Sequence, residues 1–178
     1  MNVGANTAQT DLYRQAADQF GAAVERLAAA YEADPERRRD LAQDIHFQLW
    51  RSFAHFDGRC SMRTWVYQVG HRVGASHVLK ERRTWSRLVS LEDFDPPPDR
   101  NPVRVDGGRN LERLHALIQQ LKPLDRQVIL SYLEGLDAAS TGEITGLSPA
   151  NVAMKIHRIK NILAKRFHEG GSHVERPS

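Results

Sequence analysis

Ser148-Pro149-Ala150-Asn151-Val152-Ala153-Met154-Lys155-Ile156-His157-Arg158-Ile159-Lys160 is the stretch on which the reading of this chain turns. A serine hydroxyl can accept a bond from a free backbone N–H at a helix start, and proline fits the first helical position. Ser148-Pro149 therefore reads as a helix N-terminus. Val152, Ile156, Ile159, Leu163 and Phe167 then recur at helical spacing and predict one buried stripe. Asn151, Lys155, His157, Arg158 and Lys160 fall on the other face. Upstream, Asp137 can cap a short helix that ends near Thr145-Gly146. A short helix, a tight glycine turn and a basic amphipathic helix make a helix-turn-helix, which sets its second helix in the major groove of DNA. The same pattern also fits a plain helical hairpin with a solvated charged face.

Two more helices precede this motif. Pro123 starts one with Leu124, Val128, Ile129 and Tyr132 inward, and Gly135 ends it. Leu111, Leu114, Leu117, Ile118 and Leu121 mark the other. Between residues 84 and 110 the periodicity is lost. Pro96-Pro97-Pro98-Asp99, Asn101-Pro102 and Gly107-Gly108 break any helix, so this segment reads as a Pro-rich linker with semi-extended stretches. Its apolar cluster, Leu88, Val89, Leu91 and Phe94, is fit to dock on something.

The N-terminal part reads as three helices. The first spans residues 11–31 with Leu12, Ala16, Phe20, Ala23, Leu27 and Tyr31 inward. Asp34-Pro35 opens the second, where Leu41, Ile45, Leu49 and Phe53 form a stripe that Phe47, Trp50 and Ala54 widen. Residues 56–60 form a loop. Ser61 caps the third helix, with Met62, Val66, Val69, Val73 and Ser76 inward and a basic end at Lys80-Glu81-Arg82-Arg83. No strand-length run alternates apolar and polar residues. The expected fold class is all-α. A three-helix domain over 11–83 and a four-helix domain over 111–168 are joined by the 84–110 linker. The tail, 169–178, reads as disordered.

Composition narrows the function classes. The chain has 178 residues, 40% of them hydrophobic, enough for a packed core. Its formal net charge is only +3, so any nucleic-acid surface must come from local clustering of cations. The lone Cys60 allows no internal disulfide and fits a reducing compartment. Residues 1–10 lack the layout of a signal peptide, and no apolar run is long enough to span a membrane. A cytoplasmic protein without membrane insertion is expected. His46, His55, His71 and His77 with Cys60 show neither His-Glu-x-x-His spacing nor paired cysteines. There is no phosphate-cradling glycine loop and no nucleophile elbow. No enzyme activity, metal, cofactor or small-molecule substrate is expected.

Further stretches carry a resemblance. Asp40-Leu41-Ala42-Gln43-Asp44-Ile45-His46-Phe47-Gln48-Leu49-Trp50 resembles the polymerase-binding segment of bacterial sigma factors of the sigma-70 family. Met62-Arg63-Thr64-Trp65-Val66-Tyr67-Gln68-Val69 resembles the segment that melts and reads the minus-10 promoter element. Leu121-Lys122-Pro123-Leu124-Asp125-Arg126-Gln127-Val128, then Glu134-Gly135-Leu136 and the helix-turn-helix, resemble the minus-35-reading domain. The short length matches the extracytoplasmic-function branch. The resemblance implies core RNA polymerase and promoter DNA as partners. It also implies control by an anti-sigma factor.

It assigns site residues as follows. Asp40, Leu41, Gln43, Asp44, Phe47 and Trp50 would contact polymerase. Opening a promoter needs aromatic faces for bases and cations for phosphates. Trp65 and Tyr67 would stack, beside Arg63, His71, Arg72, His77 and Lys80. Packing against the first two helices is the competing reading for the two aromatics. The preceding loop would add Asp57, Arg59 and Ser61. On the recognition helix, Ser148, Ala150, Asn151, Met154 and Lys155 come early, where base edges are reached. Asn suits adenine and Lys suits guanine. Arg158, Lys160, Lys122 and Arg126 would meet phosphates.

Three departures from the family pattern matter. An acidic pair commonly precedes the polymerase-binding helix; here Arg39 replaces its first member and Arg37-Arg38 extend a basic run. An added negative charge, such as a phosphate placed on Thr64 by a regulatory kinase, would compensate for the missing acid. Gly70 and Gly74 lie mid-helix, at a cost of about 1 kcal/mol each against alanine, and would permit close helix packing. Ala139-Ser140-Thr141-Gly142 is a weak helix start for the helix-turn-helix. A regulator that binds duplex DNA without engaging polymerase is the alternative reading.

Overall fold

The computed structural model describes residues 3–89 and 108–169, with side chains over 7–81 and 110–168. The described residues form seven α-helices and no strand, as the all-α expectation required. They are α1 (Val3–Tyr31), α2 (Pro35–Ser52), α3 (Met62–Val89), α4 (Gly108–Gln119), α5 (Pro123–Leu133), α6 (Ala138–Thr145) and α7 (Pro149–Glu169). The chain divides into two compact units, one carrying α1–α3 and the other α4–α7.

In the first unit every helix packs on the other two. Asp34 caps α2 by accepting the backbone N–H groups of Glu36 and Arg37 at 3.0 Å, and Pro35 occupies the first turn. The stripe Leu41, Ile45, Leu49 and Phe53 is buried, as are Val24, Leu27, Ala28 and Tyr31 of α1, on which α2 packs. A short 3₁₀ turn, Phe53–His55, closes α2.

Three features differ from the sequence reading. α1 begins at Val3 rather than residue 11, because its early turns lie along α2: Gln9 Nε2 donates to the Trp50 carbonyl at 2.7 Å. α3 continues to Val89, into the segment read as linker. Its inward face is also broader than expected. Val66 and Val69 are buried, but Ser76 is exposed and Met62 and Val73 are only half-buried. Tyr67, Gly70, His71 and Gly74 are buried instead. The two glycines explain this second row. A β-carbon at Gly70 would stand 2.8 Å from Leu27 Cδ1, and one at Gly74 would stand 2.5 Å from the Tyr31 ring. Their absence lets α1 close on α3.

In the second unit α7 packs on α4, α5 and α6. α5 ends in a Schellman turn: Gly135 has φ 74°, and the Leu136 N–H donates to the Ser131 carbonyl at 3.0 Å. Asp137 then caps α6, accepting the Ser140 N–H at 2.7 Å. That bond holds its carboxyl below the usual range. Gly146 ends α6 in the left-handed region at φ 76°. Gly142 is buried where a β-carbon would meet the Leu147 carbonyl oxygen at 2.6 Å, so a weak helix former is what this turn needs. Val152, Ile159 and Leu163 fill the core; Ile156 and Phe167 are half-buried. Leu124 and Tyr132, expected inside, lie on the surface. The proline and tail readings for 90–107 and 170–178, and the side chains of Leu88, Val89, Leu91 and Phe94, lie outside the described residues.

Candidate nucleic-acid and protein interfaces

α7 presents the clearest surface. Ser148 Oγ accepts the Asn151 N–H at 3.3 Å, which fixes the helix start. Ala150, Asn151, Met154, Arg158 and Lys160 are exposed, Met154 at 65%. Leu147, Asn151, Met154, Lys155 and Arg158 line a shallow cleft of about 260 Å³. Beneath it lies Asp125, in the first turn of α5 and buried. Lys155 Nζ donates to Asp125 Oδ1 at 2.6 Å, and Arg158 Nη2 reaches Asp125 Oδ2 at 3.4 Å. Lys160 Nζ sits 5.3 Å over the Tyr132 ring. Lys122 is exposed. Sequence reasoning passed over Asp125 and Leu147, since neither lies on the charged face of α7.

Arg126 does not fit the phosphate role. Its side chain is 4% exposed, and Nη2 donates to the Gln119 and Leu121 carbonyls at the end of α4. An arginine there satisfies carbonyls that the helix itself leaves open.

In the first unit, Asp40, Gln43, Asp44, Phe47 and Arg51 share one exposed face of α2. Phe47 is 54% exposed, with the Arg51 guanidinium 5.7 Å over its ring. Leu41 is buried in the core and cannot belong to that face. Trp50 is half-buried and turned to α1, its indole N–H donating to Thr10 Oγ1 at 3.5 Å. Arg37 and Arg38 do not form a free basic patch. Arg38 donates to the Glu32 and Ala33 carbonyls at 3.2 and 2.8 Å, and Arg37 pairs with Glu32 and Glu81.

Around α3 the expected DNA residues separate into two groups. Arg63, Arg72 and Lys80 are exposed. Tyr67 and His71 are each 1% exposed and cannot meet a base or phosphate. His71 Nδ1 lies 2.9 Å from Tyr31 Oη, and burial pushes its imidazole down to about 4. At neutral pH it is an uncharged core residue. His77 is half-buried and bonds Glu32 Oε2 at 2.8 Å. Burial alone would raise the Glu32 carboxyl, but bonds from His77 and the Asp34 N–H, with Arg37 nearby, hold it below its ordinary value.

Trp65 packs as the competing reading had it. Its indole N–H donates to Ser52 Oγ at 2.9 Å, and its ring meets Phe56 edge-on at 5.2 Å. It is nevertheless half-buried, so part of its surface reaches solvent. Asp57 and Arg59 pair with each other on the exposed loop, Arg59 Nε to Asp57 Oδ2 at 2.9 Å. Ser61 Oγ caps α3, accepting the Thr64 N–H at 3.0 Å. Thr64 is 3% exposed and its hydroxyl faces Ser61 at 3.0 Å, so the phosphorylation expectation fails: a kinase cannot reach it. No group of histidine, cysteine or acidic side chains suited to a metal ion occurs among the described residues.

Residues 17–84 match the family profile for Sigma-70 region 2, and residues 111–163 that for Sigma-70, region 4. The chain belongs to the sigma-70 family, in its extracytoplasmic-function branch. It is similar to the ECF RNA polymerase sigma factor SigX of Bacillus subtilis, 24% identical over 75% of this chain and 72% of that one. It is also similar to the sigma factor CarQ of Myxococcus xanthus, 27% identical over 87% of this chain and 86% of that one. Two solved structures share the fold. One is CnrH in complex with the cytosolic domain of CnrY, at TM-score 0.65 and 19% identity, covering 93% of each chain. The other is RpoE with the anti-sigma factor NepR from Bartonella quintana, at TM-score 0.66 and 18% identity, covering 92% of this chain and 98% of that one.

This sigma factor is a transcription initiation factor that binds core RNA polymerase and directs it to promoter DNA. A match to region 2 beside region 4 favours that function over a regulator that never engages polymerase. Sigma factors are non-catalytic transcription factors. No described helix is long and apolar enough to cross a membrane.

Proposed function

We propose that the α1–α3 unit grips core polymerase and the minus-10 element while the α4–α7 unit reads the minus-35 element. The observation that carries this is the α7 outer face, where Asn151, Met154, Lys155 and Arg158 stand around one cleft at the end of a helix-turn-helix. Base reading falls to Ala150, Asn151, Met154 and Lys155, with Ser148 fixing the helix start. Arg158, Lys160 and Lys122 meet phosphates.

Polymerase binds the α2 face of Asp40, Gln43, Asp44 and Phe47; Leu41 and Trp50 support it from within. The melted strand runs by Arg63, Arg72 and Lys80, with the Asp57–Arg59 loop at its entrance and the open side of Trp65 for stacking. His77 holds α3 to α1 rather than meeting DNA. The first domain covers 11–83 together with the rest of α3, and the linker ends where α4 begins.

The factor works in the cytoplasm beside polymerase and has no enzymatic activity, cofactor or small-molecule substrate. The RpoE–NepR precedent supports an anti-sigma factor as its antagonist. A kinase acting at Thr64 is not part of this reading.

The test is transcription by core polymerase reconstituted with this chain on a genomic fragment library. Phe47→Ala is expected to weaken core binding, and Asn151→Ala to weaken promoter selection without touching core binding. Transcription that is equal with and without the added chain sinks the proposal.

A further inference from the structure

We infer that Asp125 is a positioning residue for promoter reading: it holds Lys155 and Arg158 in place beneath the cleft and removes part of their charge from the DNA-facing surface. This rests on the assignment of α7 as the duplex-reading helix.

Three observations lead here. Asp125 belongs to α5, not to the reading helix, yet it is buried against α7. Its two oxygens are divided between two cations one helical turn apart, Lys155 at 2.6 Å and Arg158 at 3.4 Å. Those two cations form one wall of the cleft that Asn151 and Met154 complete. The side chains of Asp125 and Lys155 are 12% and 25% exposed, so this pair is partly shielded from solvent.

The physical consequence is selectivity. A lysine on a flexible four-carbon stem would sweep over neighbouring phosphates and bind any sequence. Anchored by Asp125, its ammonium points in one direction and offers its remaining donors to one base edge. The carboxylate also repels phosphates. It therefore opposes sequence-independent binding, which is nearly all electrostatic. Cognate DNA recovers the loss through Asn151 and Met154, whereas non-cognate DNA does not. Holding a cation near the groove while withholding its charge from the backbone is specificity by penalty against the wrong partner.

The test uses the full chain assembled with core polymerase. The wild-type assembly selects a duplex from a randomised pool, and the probe is that duplex against its scrambled version. Asp125→Asn keeps the shape and removes the charge. It is expected to bind the scrambled duplex more tightly and to steepen the salt slope by about 0.9, one extra phosphate neutralised. Preference for the selected duplex is expected to fall by at least about fivefold, the low end of what one good base contact supplies.

Asp125→Glu is measured in parallel and keeps the claim testable if the amide variant does not fold. It restores the salt slope, because the charge is kept, but not the full preference, because the longer stem moves the ammonium. Wild-type preference and slope in Asp125→Asn, or full preference in Asp125→Glu, overturn the inference. Asn151→Ala separates the two claims. If it leaves selection unchanged, α7 is not the reading helix and both claims fall. If it weakens selection while Asp125→Asn does nothing, only the role of Asp125 is lost.

Discussion

Gly74→Ala should loosen the N-terminal unit more than any other single-methyl change in it. The new β-carbon would lie 2.5 to 2.8 Å from three atoms of the Tyr31 ring. That ring is buried, and its hydroxyl is tied to His71 Nδ1 at 2.9 Å, so it cannot swing aside without moving the bond. Overpacking a core costs about 1–3 kcal/mol. Losing the net value of one hydrogen bond adds about 0.5–1.5 kcal/mol. Replacing a mid-helix glycine by alanine returns about 1 kcal/mol. The balance is a loss of about 2 kcal/mol, or a fall in melting temperature of about 8–16 °C for a domain of this size.

Two controls isolate the cause. At Gly70 the added methyl meets Leu27 Cδ1 at 2.8 Å, the far end of a flexible side chain, so Gly70→Ala is expected within about 1 kcal/mol of wild type. At Gly21 nothing lies within 4 Å, so Gly21→Ala should stabilise by about 0.5–1 kcal/mol. The assay is tryptophan fluorescence on heating. All three tryptophans, Trp50, Trp65 and Trp85, lie in the N-terminal unit, so the signal reports that unit alone. A Gly74→Ala protein as stable as wild type refutes the argument, as does one less damaged than Gly70→Ala.

Four further outcomes follow from the same geometry. His71 takes up its proton near pH 6.5 when unfolded but only near pH 4 when folded, so its contribution is complete above pH 6.5 and is lost as pH falls toward 4. Unfolding free energies from denaturant titrations followed by tryptophan fluorescence should drop by about 2 kcal/mol between pH 7.5 and 5, and His71→Gln should flatten the profile; an equal slope in that variant refutes the assignment. Thr64→Glu forces a carboxylate into a position that is 3% exposed, and is expected to destabilise the unit by about 2 kcal/mol or more without raising affinity for core polymerase; a binding assay showing tighter association refutes this. Gly142→Ala meets a fixed backbone oxygen at 2.6 Å and is expected to cost about 1–3 kcal/mol and to weaken duplex binding, read by circular dichroism and gel shift; wild-type melting and binding would refute it. Gly146→Ala has open space around it but needs φ 76°, and should cost about 1–2 kcal/mol; a variant as stable as wild type by circular dichroism melting would refute that.

Much of the fold was legible because its signals are local. Asp34-Pro35, Asp137, Gly135, Gly146 and Ser148-Pro149 act within one turn of their own position, and each does in the structure what its chemistry predicts. The apolar stripes of α1 and α2 were equally clear, since they are built largely of aliphatic and aromatic residues at helical spacing. α3 was harder. Its second inward row consists of Tyr67, Gly70, His71 and Gly74, in which only Tyr67 registers as apolar. Arg126 failed for a similar reason: a cation beside a DNA-reading motif invites a phosphate role, but this one is consumed by carbonyls at the end of α4.

By itself the sequence determined the capped helix ends, the all-α class, the order of the two domains and the exposed face of α7, because short-range backbone chemistry and a repeat of 3.6 residues are written along the chain. Only the tertiary structure decided which polar residues are available. Tyr67, His71, Thr64 and Arg126 are buried, His71 against Tyr31 of a helix distant in sequence, and Asp125 reaches Lys155 and Arg158 of α7 from another helix. Burial and ion pairing between remote segments depend on how closely two helices approach. Between α1 and α3 that distance is set by the side chains that Gly70 and Gly74 lack.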